Sequence, residues 1–122
     1  PLGSTSARLA LALLMVKATG FEAALLAAGV RLAIIKLGAD GALLATASER
    51  ISISAIPIDL VCGLGAGDAF GGALCHGLLN GWGLERIGRT ANAAGALVST
   101  RLTCAEAMPT IAELDEMMAG AA

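Results

Sequence analysis

Residues 63–68 read Gly-Leu-Gly-Ala-Gly-Asp, with glycine at alternate positions and a carboxylate directly after the last one. Glycines at 63, 65 and 67 leave their backbone N–H groups uncrowded by side chains. From Asp68 onward, Phe70, Ala73, Leu74, Leu78 and Leu79 recur at spacings that predict a helix over 68–79 with those residues facing inward. Amides gathered at a helix start, with the helix dipole behind them, make a pocket for an anion. A carboxylate at the rim of that pocket repels a phosphate, so its presence needs a chemical reason. Taking the proton from a hydroxyl that attacks the phosphate is one such reason. A flexible turn followed by an Asp helix cap is the plain alternative, and spacing alone does not separate the two.

Other glycine-rich readings fail on the residues. A phosphate loop of the Walker type needs Lys-Ser or Lys-Thr after its last glycine, and Asp68-Ala69 stands there. The dinucleotide fingerprint needs a third glycine where Asp68 falls. Cys75 and His76 are adjacent, but His76 is the sole histidine and no second ligand pair accompanies it, so no metal site is expected.

The elements that must hold this segment follow from the rest of the chain. Ser4, Thr5 or Ser6 caps a helix expected to run to about Lys17, broken by Ala18-Thr19-Gly20. Phe21 to Ala28 is a second short helix closed by Gly29. Arg31–Lys36 reads as a buried strand, Ala39-Asp40-Gly41 as a turn, and Ala42–Thr46 as the returning strand of a hairpin. Arg50–Ile58 alternates apolar and polar residues, a half-covered strand in which Pro57 favours an edge or a strand end. After the glycine segment, Asn80–Gly83 ends the first long helix. Leu84–Leu102 forms the next, and Ala91–Ala96 within it lets another backbone approach closely. Thr110 and Glu113 form a capping box on a last helix, Ile111–Met118. This order of elements gives an α/β or α+β fold. Three strands bury too little for these helices, so they belong to a larger sheet.

Composition bounds the partners. At 122 residues the chain makes one domain, and 57% hydrophobic against 15% charged residues excludes disorder. The longest apolar runs, Leu9–Val16 and Ala23–Val30, are too short to span a membrane. A net charge of −2 with scattered Lys and Arg excludes a nucleic-acid surface. Four acids between Glu106 and Glu116 read as a solvated helix face. Cys62, Cys75 and Cys104 form no paired motif, which points to free, mostly buried thiols in a reducing cytoplasm. Met15, Met108, Met117, Met118, Trp82 and Phe21 are read as core filling. Pro1-Leu2-Gly3-Ser4 resembles the remnant of a cleaved affinity tag and is set aside.

Gly65-Ala66-Gly67-Asp68-Ala69-Phe70-Gly71-Gly72 resembles the C-terminal signature of the ribokinase-like (PfkB) carbohydrate kinases. Lys36-Leu37-Gly38-Ala39-Asp40-Gly41 resembles that family's strand and glycine turn. Ala91-Asn92-Ala93-Ala94-Gly95-Ala96 resembles its nucleotide-side helix, and Met108-Pro109-Thr110 its exit before the last helix. The resemblance extends from Phe21 to Met118. It implies the C-terminal, nucleotide-side portion of a three-layer α/β/α fold, with the N-terminal sugar and lid part absent. Within the family, Val61–Leu79 and Cys104–Thr110 are similar to the bacterial kinases that phosphorylate 5-dehydro-2-deoxygluconate in inositol catabolism.

What the resemblance implies is specific. Asp68 would be the catalytic base toward a sugar hydroxyl, and the backbone of Gly65, Ala66 and Gly67 the anion hole for the γ-phosphoryl group. Lys36, Gly38 and Gly41 would border the nucleotide, and Asn92 would lie near its adenine or ribose. For Lys36 a solvated strand-end lysine stands as the alternative, and for Asn92 a helix residue bonding a neighbouring turn. ATP and Mg²⁺ are the implied cofactors, the metal arriving on the phosphates. Many members place Asp six and Thr four residues before the catalytic Asp to help hold a monovalent cation. Cys62 and Leu64 stand there instead, so the side-chain support for such a cation is missing and only backbone carbonyls are left to bind it. A second possibility is a non-catalytic fragment that binds nucleotide or self-associates into homo-oligomers through an exposed sheet edge. A third is an unrelated α/β domain with a chance Gly-Ala-Gly-Asp.

Overall fold

Leu32, Ala33, Ile34 and Ile35 are buried one after another without alternation, as in an internal strand covered on both faces. They form β2 (Leu32–Lys36), the second strand of a sheet ordered β1-β2-β3-β4 with β1 at Leu11–Leu14, β3 at Ala42–Ala45 and β4 at Arg50–Ile53. The computed structural model describes residues 11–14, 20–102 and 105–121. The chain divides after Ser54 into two compact units.

In the first unit, β1 runs parallel to β2, with Leu11 opposite Leu32 and Leu14 opposite Ile35. This corrects the helix expected up to Lys17. An unbroken apolar run has no helical stripe, and such a run suits a parallel internal strand equally well. Ser4–Ser6, the rest of that expected helix and the tag-like Pro1–Ser4 lie outside the described residues. A parallel pair needs a crossover, and α1 (Phe21–Ala27) lies between the two strands and packs on β2. It ends in a Schellman motif: Val30 N–H donates to Leu25 O at 3.1 Å and Gly29 N–H to Leu26 O at 3.0 Å. Phe21, expected inside, is 40% exposed. The buried member of that helix is instead Glu22, which pairs with Arg50 of β4.

The β2–β3 hairpin is antiparallel, as expected, with Lys36 opposite Ala42. β4 is shorter than the expected 50–58. Ile53 pairs with Ala42, the first residue of β3, so Ser54 onward meets no partner strand. Its burial alternates as an edge strand should, with Ile53 buried and Ser52 exposed.

The second unit is a helical hairpin, α2 (Ala66–Leu79) and α3 (Leu84–Ser99), followed by a 3₁₀ turn (Ala105–Ala107) and α4 (Ile111–Ala121). Phe70, Leu74 and Gly77 form the buried stripe of α2. Leu79, expected inward, is 87% exposed. Nine residues at ~100° each place it half a turn away from Phe70. The helices approach most closely at Gly77, where an added Cβ would lie 2.8 Å from Ile87 Cγ1 and 3.2 Å from Trp82 Cε3. Trp82 is half-buried, with the Arg86 guanidinium 3.7 Å above its ring and His76 edge-on at 5.2 Å.

Candidate functional site

The site grows from one backbone conformation. Gly65 sits at φ 85°, ψ −8°, a left-handed geometry that a side chain would strain, and it is the N-cap of α2. From there the chain turns directly into the helix. Ala66 N–H reaches back to Gly63 O at 3.3 Å, and Ala69 N–H bonds Gly65 O at 2.9 Å. Between them, the amides of Gly67 and Asp68 have no acceptor among the described residues, and no side chain caps the helix. Two free N–H groups at the positive end of a 14-residue helix suit an anion such as a phosphoryl group.

α2 starts at Ala66, two residues before the expected start at Asp68. Asp68 therefore lies inside the first turn, and the Asp-cap alternative does not describe this loop. Its carboxylate is exposed and has no hydrogen-bond or ion-pair partner among the described residues. It opens on a groove of about 360 Å³ that Gly72 and His76 continue along α2 and that Met108, Pro109 and Ile111 wall on the other side. A free carboxylate beside an anion pocket can accept a proton there.

The neighbouring helix seats this turn. At Gly95 an added Cβ would stand 3.3 Å from Ala66 O, which is the close approach expected of the Ala-rich segment. Asn92, half-buried, lies three residues before Gly95 on α3 and already has an interaction of its own. The Ser99 carbonyl accepts from Val61 N–H at 2.9 Å and Cys62 N–H at 3.1 Å, which fixes the entry to the glycine loop. The structure thus gathers Gly65, Ala66, Gly67 and Asp68 at one helix start.

Lys36, Gly38 and Gly41 belong to the hairpin of the first unit. Lys36 is half-buried at the end of β2, and burial pushes its ammonium below its usual pKa. Gly38 (φ 58°) and Gly41 (φ 92°) bound the turn in conformations that favour glycine. An added Cβ at Gly38 would meet nothing within 4 Å, so strain rather than crowding selects glycine there.

Among the described residues no cluster of His, Cys, Asp and Glu could hold a metal ion. Free amides at a helix start suit an anion and cannot ligate a cation, so they fit the phosphate end of a nucleotide carrying its own Mg²⁺ better than a protein metal cage. The thiols depart from expectation. Cys75 is exposed because it lies off the buried stripe of α2, Cys62 in the loop before that helix is half-buried, and Cys104 falls outside the described residues.

The sequence profile of the pfkB family of carbohydrate kinases matches residues 12–111. The chain belongs to the pfkB family of carbohydrate kinases. A 63-residue stretch is 48% identical to the ATP-dependent 6-phosphofructokinase isozyme 2 of Mycobacterium tuberculosis, covering 52% of this chain and 19% of that protein. Over 89 residues it is 29% identical to the 5-dehydro-2-deoxygluconokinase of Geobacillus thermodenitrificans, covering 72% of this chain and 26% of the relative. An E. coli protein assigned as ribokinase II, solved with ATP and Mg²⁺, superposes with a TM-score of 0.83 at 28% identity, over 91% of this chain and 39% of that one. The chain thus spans about a fifth to two fifths of the relatives it matches. The ribokinase-like α/β fold expected from the sequence is the observed one. No helix among the described residues of this pfkB chain is long and apolar enough to cross a membrane.

One set of contacts beside the site carries no signal in the sequence. Arg101 Nη1 donates to Ala107 O at 2.8 Å and Nη2 to Glu113 Oε1 at 2.5 Å. Glu113 also forms the expected capping box, accepting from Thr110 N–H at 2.8 Å while its own N–H donates to Thr110 Oγ1 at 3.2 Å. The Thr110 backbone N–H and then Arg101 hold the Glu113 carboxyl below its usual 4.5. A depressed carboxyl adds stability above its unfolded value, and that stability is lost as pH falls through the folded value. Thermal melts should therefore show the protein losing stability below about pH 4.5, and Glu113→Gln should flatten that acid-side decline.

Proposed function

We propose that this chain is the nucleotide-side part of an ATP-dependent sugar kinase in which Asp68 is the general base. In that reading an Asp68 carboxylate oxygen takes the proton of the acceptor hydroxyl. The hydroxyl oxygen bonds the γ-phosphorus as the bond to the β-phosphate bridging oxygen breaks. Within the Gly65–Gly67 loop the free Gly67 N–H, together with the Asp68 N–H after it, receives the negative charge spread over the transferring group. ATP supplies the phosphoryl group, and Mg²⁺ neutralises charge on the phosphates. Lys36, Gly38, Gly41 and Asn92 serve the nucleotide. The acceptor is 5-dehydro-2-deoxygluconate or a related sugar, supported by the name of the Geobacillus relative. The exposed Cys75 suits a reducing cytoplasm.

The observation that carries this reading is the pair of free amides at Gly67 and Asp68 beside an unpartnered carboxylate. Titration calorimetry with Mg-ATP tests it. Saturable binding is expected, and Gly65→Val should weaken it at least tenfold by straining the loop. A folded chain that takes up no Mg-ATP would sink the nucleotide assignment.

A second reading rests on a different observation. Leu60, Val61 and Leu64, in and before the glycine loop, and Leu102, after α3, are 72, 56, 70 and 77% exposed. Among the described residues β4 also has no strand on its outer side. Both suit a non-catalytic, self-associating fragment. A strictly monomeric species by light scattering at millimolar concentration would remove that reading.

A further inference from the structure

We propose that Arg101 is a positioning residue for the first turn of α2, holding the segment before α4 so that it seats the Gly67 and Asp68 amides. The inference deepens the kinase reading and rests on it for its catalytic meaning.

One planar guanidinium fastens both ends of a short segment. Nη1 holds the Ala107 carbonyl at 2.8 Å, and Nη2 holds Glu113 at 2.5 Å. Glu113 in turn grips Thr110 through its second oxygen, at 2.8 Å from the backbone N and 3.3 Å from Oγ1. Residues 107–113 are thereby fixed at their start, middle and end. The apolar residues beside these anchor points are core. Ala107 is 2% exposed and Leu114 3%, and both share a cluster with Ala69, Ala93, Ala94 and Val98. Ala69 directly follows Asp68, and its N–H closes the first turn of α2 on Gly65 O. Whatever loosens Ala107 and Leu114 therefore loosens the packing under Ala69. The same segment supplies Met108 and Pro109 to the groove wall facing Asp68.

The end of α3 thus works on both sides of the site. Ser99 O fixes the entry to the glycine loop through Val61 and Cys62. Arg101, two residues later, fixes the segment that backs its exit. Arg101 does not line the groove itself, so it acts through its neighbours. Lysine cannot replace it, because a point ammonium lacks the forked donors that span a carbonyl and a carboxylate at once.

The test uses the 122-residue chain, ¹⁵N-labelled, as wild type, Arg101→Met and Arg101→Lys. Amide resonances and hydrogen exchange are read residue by residue, with and without Mg-ATP. Arg101→Met should shift the Gly67, Asp68 and Ala69 amides and speed exchange at Ala69 about tenfold or more. It should weaken Mg-ATP several-fold at Gly67 and Asp68. Gly77 and Ile87, at the far end of the hairpin, should hold still, and Arg101→Lys should restore less than half of the change. Shifts confined to residues 105–114, with Gly67–Ala69 unmoved, would overturn the inference. If wild type binds no Mg-ATP, the kinase reading fails while the exchange data still decide the positioning role. If wild type binds and Arg101→Met binds equally with unmoved amides, only the positioning role fails. Should Arg101→Met give no dispersed spectrum, Glu113→Gln weakens the same clamp and is read at the same amides with the same two outcomes.

Discussion

Asp68→Asn is expected to lower sugar phosphorylation by about 10²–10⁴-fold, the usual worth of a positioned general base. The measurement is kcat in a form of the protein that turns over sugar, beside the Kd of Mg-ATP. The two should part company. Asn keeps the size and the backbone of the first turn of α2, so the amides of Gly67 and Asp68 stay without an acceptor among the described residues. Loss of the carboxylate removes a negative charge from the rim of an anion pocket. Nucleotide affinity should therefore hold or rise while turnover collapses. A kcat within tenfold of wild type would remove Asp68 from the base role. Equal losses in affinity and turnover would mean that the substitution had disturbed the helix start instead.

Leu74→Ala should be among the most damaging single truncations in the second unit. Leu74 is 1% exposed in the middle of α2, between Phe70 and Gly77 on the stripe that meets α3. Removing a buried leucine to alanine costs about 2–5 kcal/mol, since the cavity closes only in part. Against a total stability of about 5–15 kcal/mol, that is a large fraction. The melting temperature should fall by on the order of 10 °C. Leu79→Ala is the matched control. It makes the same chemical change on the same helix at a side chain 87% exposed, and should stay within about 0.5 kcal/mol of wild type. Similar losses in both variants would mean that the α2 stripe is not where the hairpin's stability lies.

Some of this was legible in the residues because it is local. The Thr110–Glu113 capping box and the Gly29 closure of α1 each depend on neighbours within a few positions. Their side-chain and backbone chemistry permits few alternatives. The β2–β3 hairpin and the helical hairpin were readable for the same reason, since short connections bind each to its own partner.

Tertiary structure decided the rest. The apolar run around Leu11–Leu14 offers no helical or alternating period, and pairing with β2 some twenty residues later made it a strand. β4 stopped at Ile53 because β3 has no residue left to pair. Leu79 turned outward because α3 packs on the Phe70–Leu74–Gly77 stripe, and one helix can face one partner with only one side. Arg101 carried no signal at all, because one of its acceptors is a backbone carbonyl six residues away and the other a carboxylate twelve away. The sequence by itself determined that three glycines and an aspartate stand together at a helix start. Only the folded chain decided which amides stay unbonded, which wall faces Asp68 and what holds that wall, because those are settled by contacts between segments that the order of residues does not bring together.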